Sequence, residues 1–263
     1  MPQLGLGLGA QINESNSFDP DALRYFATAG VTDATGRSQI NTFVRGIKSL
    51  GLYNNMVCWP LRSTQNAGTG GTAYSIGGLG TYDGTLTNGP TWGTSGITFD
   101  ATNDFISTTL TSGFSEITAF SIATPTNNLN FQLEIGKDNA STSREWGIFT
   151  WNSGTQRSYV FNPTQRVVTG PAYQTTIRSL CMRASSSVNK LRRNNESDFT
   201  GTVGTLTQAS AAVTIGAQTG GGGQRFLGEI SASIVFNKAL TDSETDSMYT
   251  LYSTTLGSGL GLP

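Results

Sequence analysis

The spacing of apolar residues changes character near residue 52. Before it, Leu23, Phe26 and Ala27, and then Ile40, Phe43, Val44, Ile47 and Leu50, recur three or four positions apart. That spacing puts each set on one face of a helix and predicts two amphipathic helices within 19–51. Asp19 can cap the first, Pro20 suits its opening turn, and Asp21 favours the positive end of its dipole. Gly30 stops it; Thr32 or Asp33 caps the second helix, and Gly51 ends it.

After residue 52 the period falls to two. Runs at 56–59, 97–99, 105–110, 117–124, 131–137, 145–151, 157–162, 175–184, 188–193 and 211–216 read as strands, most of them alternating apolar residues with Thr, Ser or Asn. The gaps between them carry Gly, Asn, Pro or Ser. The clearest alternation sets Ile230, Ala232, Ile234 and Phe236 against Ser231, Ser233 and Val235, which predicts one apolar face and one mostly small, polar face. Thr241 and Glu244 then form a capping box, and Met248, Leu251 and Tyr252 give the helix that follows one stripe to bury. Residues 66–80 and 220–223 read as loops. The predicted fold is mainly β: an antiparallel two-sheet sandwich with an N-terminal helical hairpin and a short C-terminal helix.

Composition agrees, with 33 glycines and only 13% charged residues. A net charge of −1 gives no field for nucleic acid or an anionic membrane. No apolar run approaches the roughly 20 residues that span a bilayer. The opening MPQLGLGLGAQ lacks the regions of a secretory signal, so a soluble chain made in a cytoplasm is expected. Histidine is absent, which removes the commonest general base and transition-metal ligand. Cys58 and Cys181 imply no disulfide scaffold and read as small buried apolar residues. In the arm at 1–18, Leu4, Leu6 and Leu8 alternate with glycine, and 257–263 echoes it as GSGLGLP. Both are either fraying ends or apolar tails that dock on a neighbouring subunit.

Two stretches carry a family resemblance. Gly96, Phe99, Asp100, Asp104, Phe105 and Ile106 form one hairpin pattern; Phe226, Gly228, Ile230, Ala239, Leu240, Thr241, Asp242 and Glu244 form a closing one. With the lead-in at 82–92, they resemble the LamG-like, concanavalin A-like jelly rolls over roughly 52–256. Ala29, Gly30, Val31, Thr32, Asp33, Ile40, Asn41, Lys48, Gly51 and Leu52 look like a leader segment of tailed-bacteriophage virion proteins. The resemblance implies a jelly roll at 52–256 carried by an arm at 1–18 and a helical attachment segment at 19–51, with a tail at 257–263. Leu4, Leu6, Leu8, Phe26 and Phe43 would make the attachment contacts.

Candidate chemistry is sparse. A glycosidase would need paired carboxylates; the nearest are Glu134 with Asp138, and Glu145, all expected to be solvent-facing charges near strand ends. Glu134 and Asp138 are an even number apart and could share a face, but Gly136 and Lys137 look like the end of that strand. LamG-like domains sometimes hold calcium, and Asp100, Asn103 and Asp104 supply oxygens at one hairpin, although the same residues serve as turn chemistry. No other cofactor is expected. Trp146, Trp151, Tyr159 and Phe161 lie on neighbouring strands, where an exposed ring could stack on a sugar. Trp146 and Trp151 are an odd number apart, so at most one is free, and such rings equally suit a core. Arg183, Lys190, Arg192 and Arg193, balanced by Glu196 and Asp198, suggest a solvated face or subunit contact. The expectation is a phage virion structural protein that is not an enzyme, assembled in the host cytoplasm and displaying its jelly roll as a capsid decoration, head fibre or spike. Its partners would be other virion proteins and copies of itself, with a trimer the first choice. The alternatives are a carbohydrate-binding tail fibre or receptor module for a host surface glycan and, third, a glycan hydrolase.

Overall fold

In a computed structural model, residues 18–127, 131–138, 144–151, 154–162, 164–204, 206–207, 210–219 and 223–263 are described. Leu4, Leu6 and Leu8 lie outside them, as does most of the 220–223 loop. Helices α1 (Pro20–Ala29) and α2 (Ala34–Ser49) form the N-terminal hairpin. The strands are β1 (Met56–Pro60), β2 (Thr72–Ala73), β3 (Gly84–Thr87), β4 (Thr91–Trp92), β5 (Ile97–Asp100), β6 (Phe105–Thr108), β7 (Ile117–Pro125) and β8 (Gln132–Asp138). They continue with β9 (Arg144–Trp151), β10 (Thr155–Asn162), β11 (Thr164–Ala172), β12 (Arg178–Ala184), β13 (Asn189–Arg193), β14 (Phe199–Thr200), β15 (Thr214–Ile215) and β16 (Leu227–Phe236). Helix α3 (Asp242–Thr254) follows. The first sheet runs β14–β13–β12–β7–β16–β5–β4, with β1 also on β16. The second runs β11–β10–β9–β8–β15–β6–β3–β2, and every pairing in both is antiparallel. This is the predicted two-sheet sandwich.

Two apolar layers hold it together. Between the sheets, Val57, Trp59, Phe99, Trp146, Ile148, Met182 and Val235 form one core. On the outside of the first sheet, Met56, Cys58, Phe120, Ile122, Cys181, Ile234 and Phe236 meet α1, α2 and α3 in a second. The first sheet is thus covered on both faces, which corrects the prediction for the last strand. Ser231 and Ser233 are fully buried, because β16 is a central strand with core on one side and helices on the other. A register shift between Ile230 and Ala232 also splits the predicted apolar face: Ile230 points into the inter-sheet core, Ala232 and Ile234 toward the helices.

The helix ends follow the predicted chemistry. Asp19 accepts from the Asp21 N–H, Asp33 from that of Gly36, and Thr241 and Glu244 complete the capping box. Gly30 terminates α1 with φ +66°, a left-handed conformation that favours glycine. The buried stripe of α1 is Ala22, Tyr25, Phe26 and Ala29 rather than the predicted Leu23, Phe26 and Ala27. Leu50, predicted to be buried, is 37% exposed.

Phe26 and Phe43 are 4% and 0% exposed, so neither makes the predicted attachment contact; both are spent on this chain's own helical core. The 257–263 tail folds back on its own chain. Leu256 is buried, Leu260 and Leu262 pack on the helical layer, and Arg62 Nη1 donates to the Leu256 and Ser258 carbonyls at 2.9 Å. Among the described residues, no helix is long and apolar enough to cross a membrane.

Candidate functional site

The outer face of the second sheet carries a separate cluster, a row of rings apart from the helical layer of the first. Strand alternation sends Trp146 and Ile148 of β9 into the inter-sheet core and turns Phe149 and Trp151 the other way. Register then places Tyr159 of β10 opposite Gly147 and Arg157 opposite Phe149. Gly136 and Gly147 are paired neighbours on β8 and β9, and the space above them is filled by Leu133 and Tyr159. A Cβ at Gly147 would lie 2.8 Å from Tyr159 Oη and 2.9 Å from Leu133 Cδ1, so glycine there makes room for the ring. The result is an unbroken edge-to-face row: Phe131–Trp151 at 4.1 Å between centroids, Trp151–Phe149 at 5.7 Å, Phe149–Tyr159 at 5.2 Å and Tyr159–Phe161 at 5.9 Å. Phe149 and Tyr159 at its centre are buried; Phe131, Trp151 and Phe161 at its ends are half-buried.

Charge is placed around the row. The Tyr159 hydroxyl donates to the buried Asp138 carboxylate, which also accepts Gln218 Nε2 at 3.1 Å and pairs with Arg144 Nε at 3.3 Å. Burial, and then the Asp138 charge, push the Tyr159 pKa well above the ordinary value, so this phenol stays protonated. The Arg144 guanidinium lies 5.6 Å from the Phe161 centroid at one end, and that of Arg157 lies 4.7 Å from the Trp151 centroid at the other. Arg157 Nε donates to Thr155 Oγ1 at 3.2 Å, and burial lowers the Arg157 pKa.

The structure divides the predicted ring set. Trp146 is 0% exposed in the inter-sheet core, and Tyr159 is 1% exposed under its neighbours; neither offers a face to a sugar. Trp151 and Phe161 are half-buried at the surface, Trp151 on the face opposite Trp146 as the odd offset requires. Four members of the site, Phe131, Phe149, Arg144 and Arg157, are absent from the predicted set. The period-two run Arg157, Tyr159, Phe161 carries a signal for the arginine.

The three acids are also corrected. Glu134, Asp138 and Glu145 are buried, not solvent-facing, and β8 runs through Gly136 and Lys137 to Asp138. Register shifts at Leu133/Ile135 and Lys137/Asp138 defeat the even-offset argument. Glu134 reaches across the sandwich to Arg178, with Oε1 2.5 Å from Nη2; Glu145 pairs with Lys137 at 2.7 Å; Asp138 holds Tyr159. These carboxylates do not flank one groove.

At the 100–104 hairpin, the Asp100 side chain accepts the Thr102 N–H at 2.7 Å, and Asp104 accepts that of Asp100 at 3.2 Å. Asn103 presents its carbonyl to Asn88 Nδ2 at 3.0 Å. Backbone hydrogen bonds, first from Thr102, lower the Asp100 pKa, while burial raises that of Asp104. This is turn chemistry, and among the described residues no group of three or more Cys, Asp or Glu is placed to hold a metal. The basic group is an ion-pair network within the chain. Asp198 meets Arg183, Lys190 and Arg192 at 2.5–2.9 Å, and Asp242 and Asp246 tie the same cations to α3.

No family model matches the chain, and no curated protein does. Solved structures share its fold. A mutant Trypanosoma rangeli sialidase displaying trans-sialidase activity matches with a TM-score of 0.59 at 11% identity, over 83% of this chain and 39% of that one. Trypanosoma rangeli sialidase matches at 0.54 and 12%, over 84% and 40%. The Ruminococcus gnavus IT-sialidase CBM40 bound to alpha2,3 sialyllactose gives 0.44 and 16%, over 52% of this chain and 84% of that one. This chain therefore spans about two-fifths of the sialidases. One expectation is corrected. Chains of enzymes contain this fold, so a jelly roll without a recognised catalytic set gives no ground for excluding catalysis, and the expectation that the chain is not an enzyme does not stand.

Proposed function

We propose that this chain is a carbohydrate-binding jelly-roll domain and that saccharide is received at the Trp151 end of the aromatic row. The observation that carries the proposal is the placement of Trp151: half-buried, edge-on to Phe131 and Phe149, and beside the Arg157 guanidinium. The C–H face of a pyranose packs on an indole ring, and a ring already locked in place loses little freedom on binding. The buried Phe149–Tyr159–Asp138 group supplies that locking from below. Glycan-array screening of the whole chain, followed by titration of the bound glycans, tests it. Trp151→Ala is expected to abolish binding with the fold intact by circular dichroism; binding unaffected by that change would refute the site.

A second reading concerns setting. The leader-like residues between Ala29 and Leu52, together with the LamG-like hairpins, support a structural component of a tailed-phage virion, self-associated and attached to other virion proteins. The surface supporting attachment is the α2–α3 groove lined by Gly46, Leu50, Leu251 and Thr254, since Phe26 and Phe43 are internal. Particle incorporation of Leu50→Asp and of a chain lacking 1–18 tests this; normal incorporation of both would end it.

A further inference from the structure

We propose that the groove between α2 and α3 is the seat of this chain's own N-terminal segment, which lays Leu4, Leu6 and Leu8 into it. The groove encloses about 520 Å³, and its walls include Gly46, Leu50, Ser247, Thr250, Leu251 and Thr254. A Cβ at Gly46 would collide with the Leu251 side chain, so the two helices meet closely at its floor. Leu50 at its rim is 37% exposed; with Val203 it is the large apolar side chain most open to solvent among the described residues. An apolar recess of this kind gains from cover.

Three features identify the occupant. First, the chain's other Leu–Gly segment already closes part of this layer. Within 257–263, Leu260 and Leu262 pack on the helical core, Gly259 and Gly261 take φ of +83° and +74°, and the Tyr249 hydroxyl donates to the Pro263 carbonyl. Glycines between the leucines let a short segment turn its apolar side chains onto helices without further bulk. Leu4, Gly5, Leu6, Gly7 and Leu8 repeat that composition. Second, the segment sets out beside the groove. Phe18 stands edge-on to Phe26 at 5.4 Å between centroids, and Asp19 is paired with Lys48 at 2.6 Å. Lys48 lies between Gly46 and Leu50 in the sequence, and two positions along a helix turn about 200°, so the groove is on the far side of α2. Residues 9–17 separate Leu8 from Phe18; extended, they cover about 30 Å, enough to pass around a helix about 10–12 Å across. Third, the segment is tethered. It meets the groove at an effective concentration of about millimolar, which favours it over a free partner of equal affinity. A partner that attaches through this groove, as in the second reading above, must first displace the segment; only that consequence rests on that reading.

The experiment compares the full chain with a chain lacking 1–17, with a triple variant carrying Leu4→Ser, Leu6→Ser and Leu8→Ser, and with Leu50→Asp. Amide hydrogen exchange is followed over 46–50 and 247–254, light scattering gives the mass, and circular dichroism checks each fold. Loss of the segment, or of its three leucines alone, is expected to speed exchange there at least about tenfold. A synthetic 1–17 peptide should restore protection to the truncated chain, but not once Leu50→Asp is added. Leu50→Asp in the full chain should exchange like the truncated chain, with every protein a monomer. Equal exchange with and without the segment would overturn the proposal, as would a peptide that leaves the truncated chain unprotected. Protection that appears only at high protein concentration, with a doubled mass, would seat the segment on a second copy and overturn its assignment to its own chain. If exchange changes as expected while Leu50→Asp and the truncated chain both enter particles normally, the attachment reading fails and the seated segment stands.

Discussion

Glu134 and Arg178 form a bridge between the two sheets, and removing one partner should be far more damaging than removing both. The Glu134 carboxylate takes Arg178 Nη2 at 2.5 Å and Nη1 at 3.2 Å, and neither side chain has exposed surface. Nη1 also donates to the Ala123 carbonyl at 3.3 Å, whereas Nε has no hydrogen-bond partner among the described residues. In Glu134→Leu the guanidinium would stay buried with one carbonyl as its remaining acceptor. A buried charge stripped of its partner costs about 3–5 kcal/mol, which for a chain of this length lowers Tm by roughly 5–10 °C. Arg178→Met should cost a similar amount by stranding the carboxylate. The double variant leaves no charge to solvate and fills the space with apolar atoms, so it should recover to within about 1 kcal/mol of the parent. Urea unfolding followed by the fluorescence of the four tryptophans measures all four proteins. Single changes costing under about 1 kcal/mol would mean the pair is solvated. A double variant as unstable as the sum of the singles would mean the two groups are uncoupled. Either result refutes the reasoning.

The ion-pair network should make stability acid-sensitive. Burial alone would raise the Asp198 pKa, but hydrogen bonds from Arg192, Lys190 and Arg183 hold it well below the usual carboxylate range. A depressed folded-state pKa contributes stability that is present above the unfolded value of about 3.9 and lost as pH falls through the folded one. The stability gap between the parent and Asp198→Asn should therefore be widest at neutral pH and narrow below about pH 4; a constant gap between about pH 7 and pH 3 contradicts this. Both cysteines are buried and free, and burial pushes the Cys181 thiol up to about 12 and that of Cys58 higher still. Ellman's reagent at about pH 8 should find no reactive thiol until the chain is unfolded; rapid native labelling would count against that burial. Gly147→Ala should cost about 1–3 kcal/mol by pressing on Tyr159 and Leu133, and a near-neutral effect on the urea midpoint would show the outer face to be loosely packed.

The elements legible in the sequence are those set by local chemistry. Asp19, Asp33 and the Thr241–Glu244 box mark the helix starts, and period-two runs locate the long strands to within a few residues. Strand β11 escapes that pattern because Gln165 and Arg166 dilute its apolar signal and Gly170–Pro171 looks like a break. The β16 bulge is invisible in the sequence because a register shift belongs to a pair of strands, not to one. The buried acids mislead for a related reason. Burying an unpaired charge is so costly that a strand carboxylate is read as exposed, and the partner that makes burial tolerable, Arg178, lies 44 residues from Glu134. Part of the candidate site is legible as rings at Trp151, Tyr159 and Phe161. Which of them reaches the surface depends on the glycines beneath Tyr159 and on Asp138 curling back to its hydroxyl, and neither is a property of one strand.

The two sheets are built for different uses, and the difference begins at their outer faces. The first is sealed by α1, α2 and α3, so its strands carry apolar residues on both sides and serine hydroxyls where small volume matters. The second bears rings whose middle pair is buried and whose ends are half-buried, with a cation at each end. Burying Phe149 and Tyr159 uses some of that apolar surface for stability, and the Asp138 hydrogen bond then fixes the row in one arrangement. Trp151 and Phe161 are left half-buried at the edges of this cluster. The guanidinium groups of Arg157 and Arg144 lie over Trp151 and Phe161, where cation and ring attract and hold the outer rings in place. Rings fixed in this way make a face of one shape, whereas the helix-covered face of the first sheet is given over to packing.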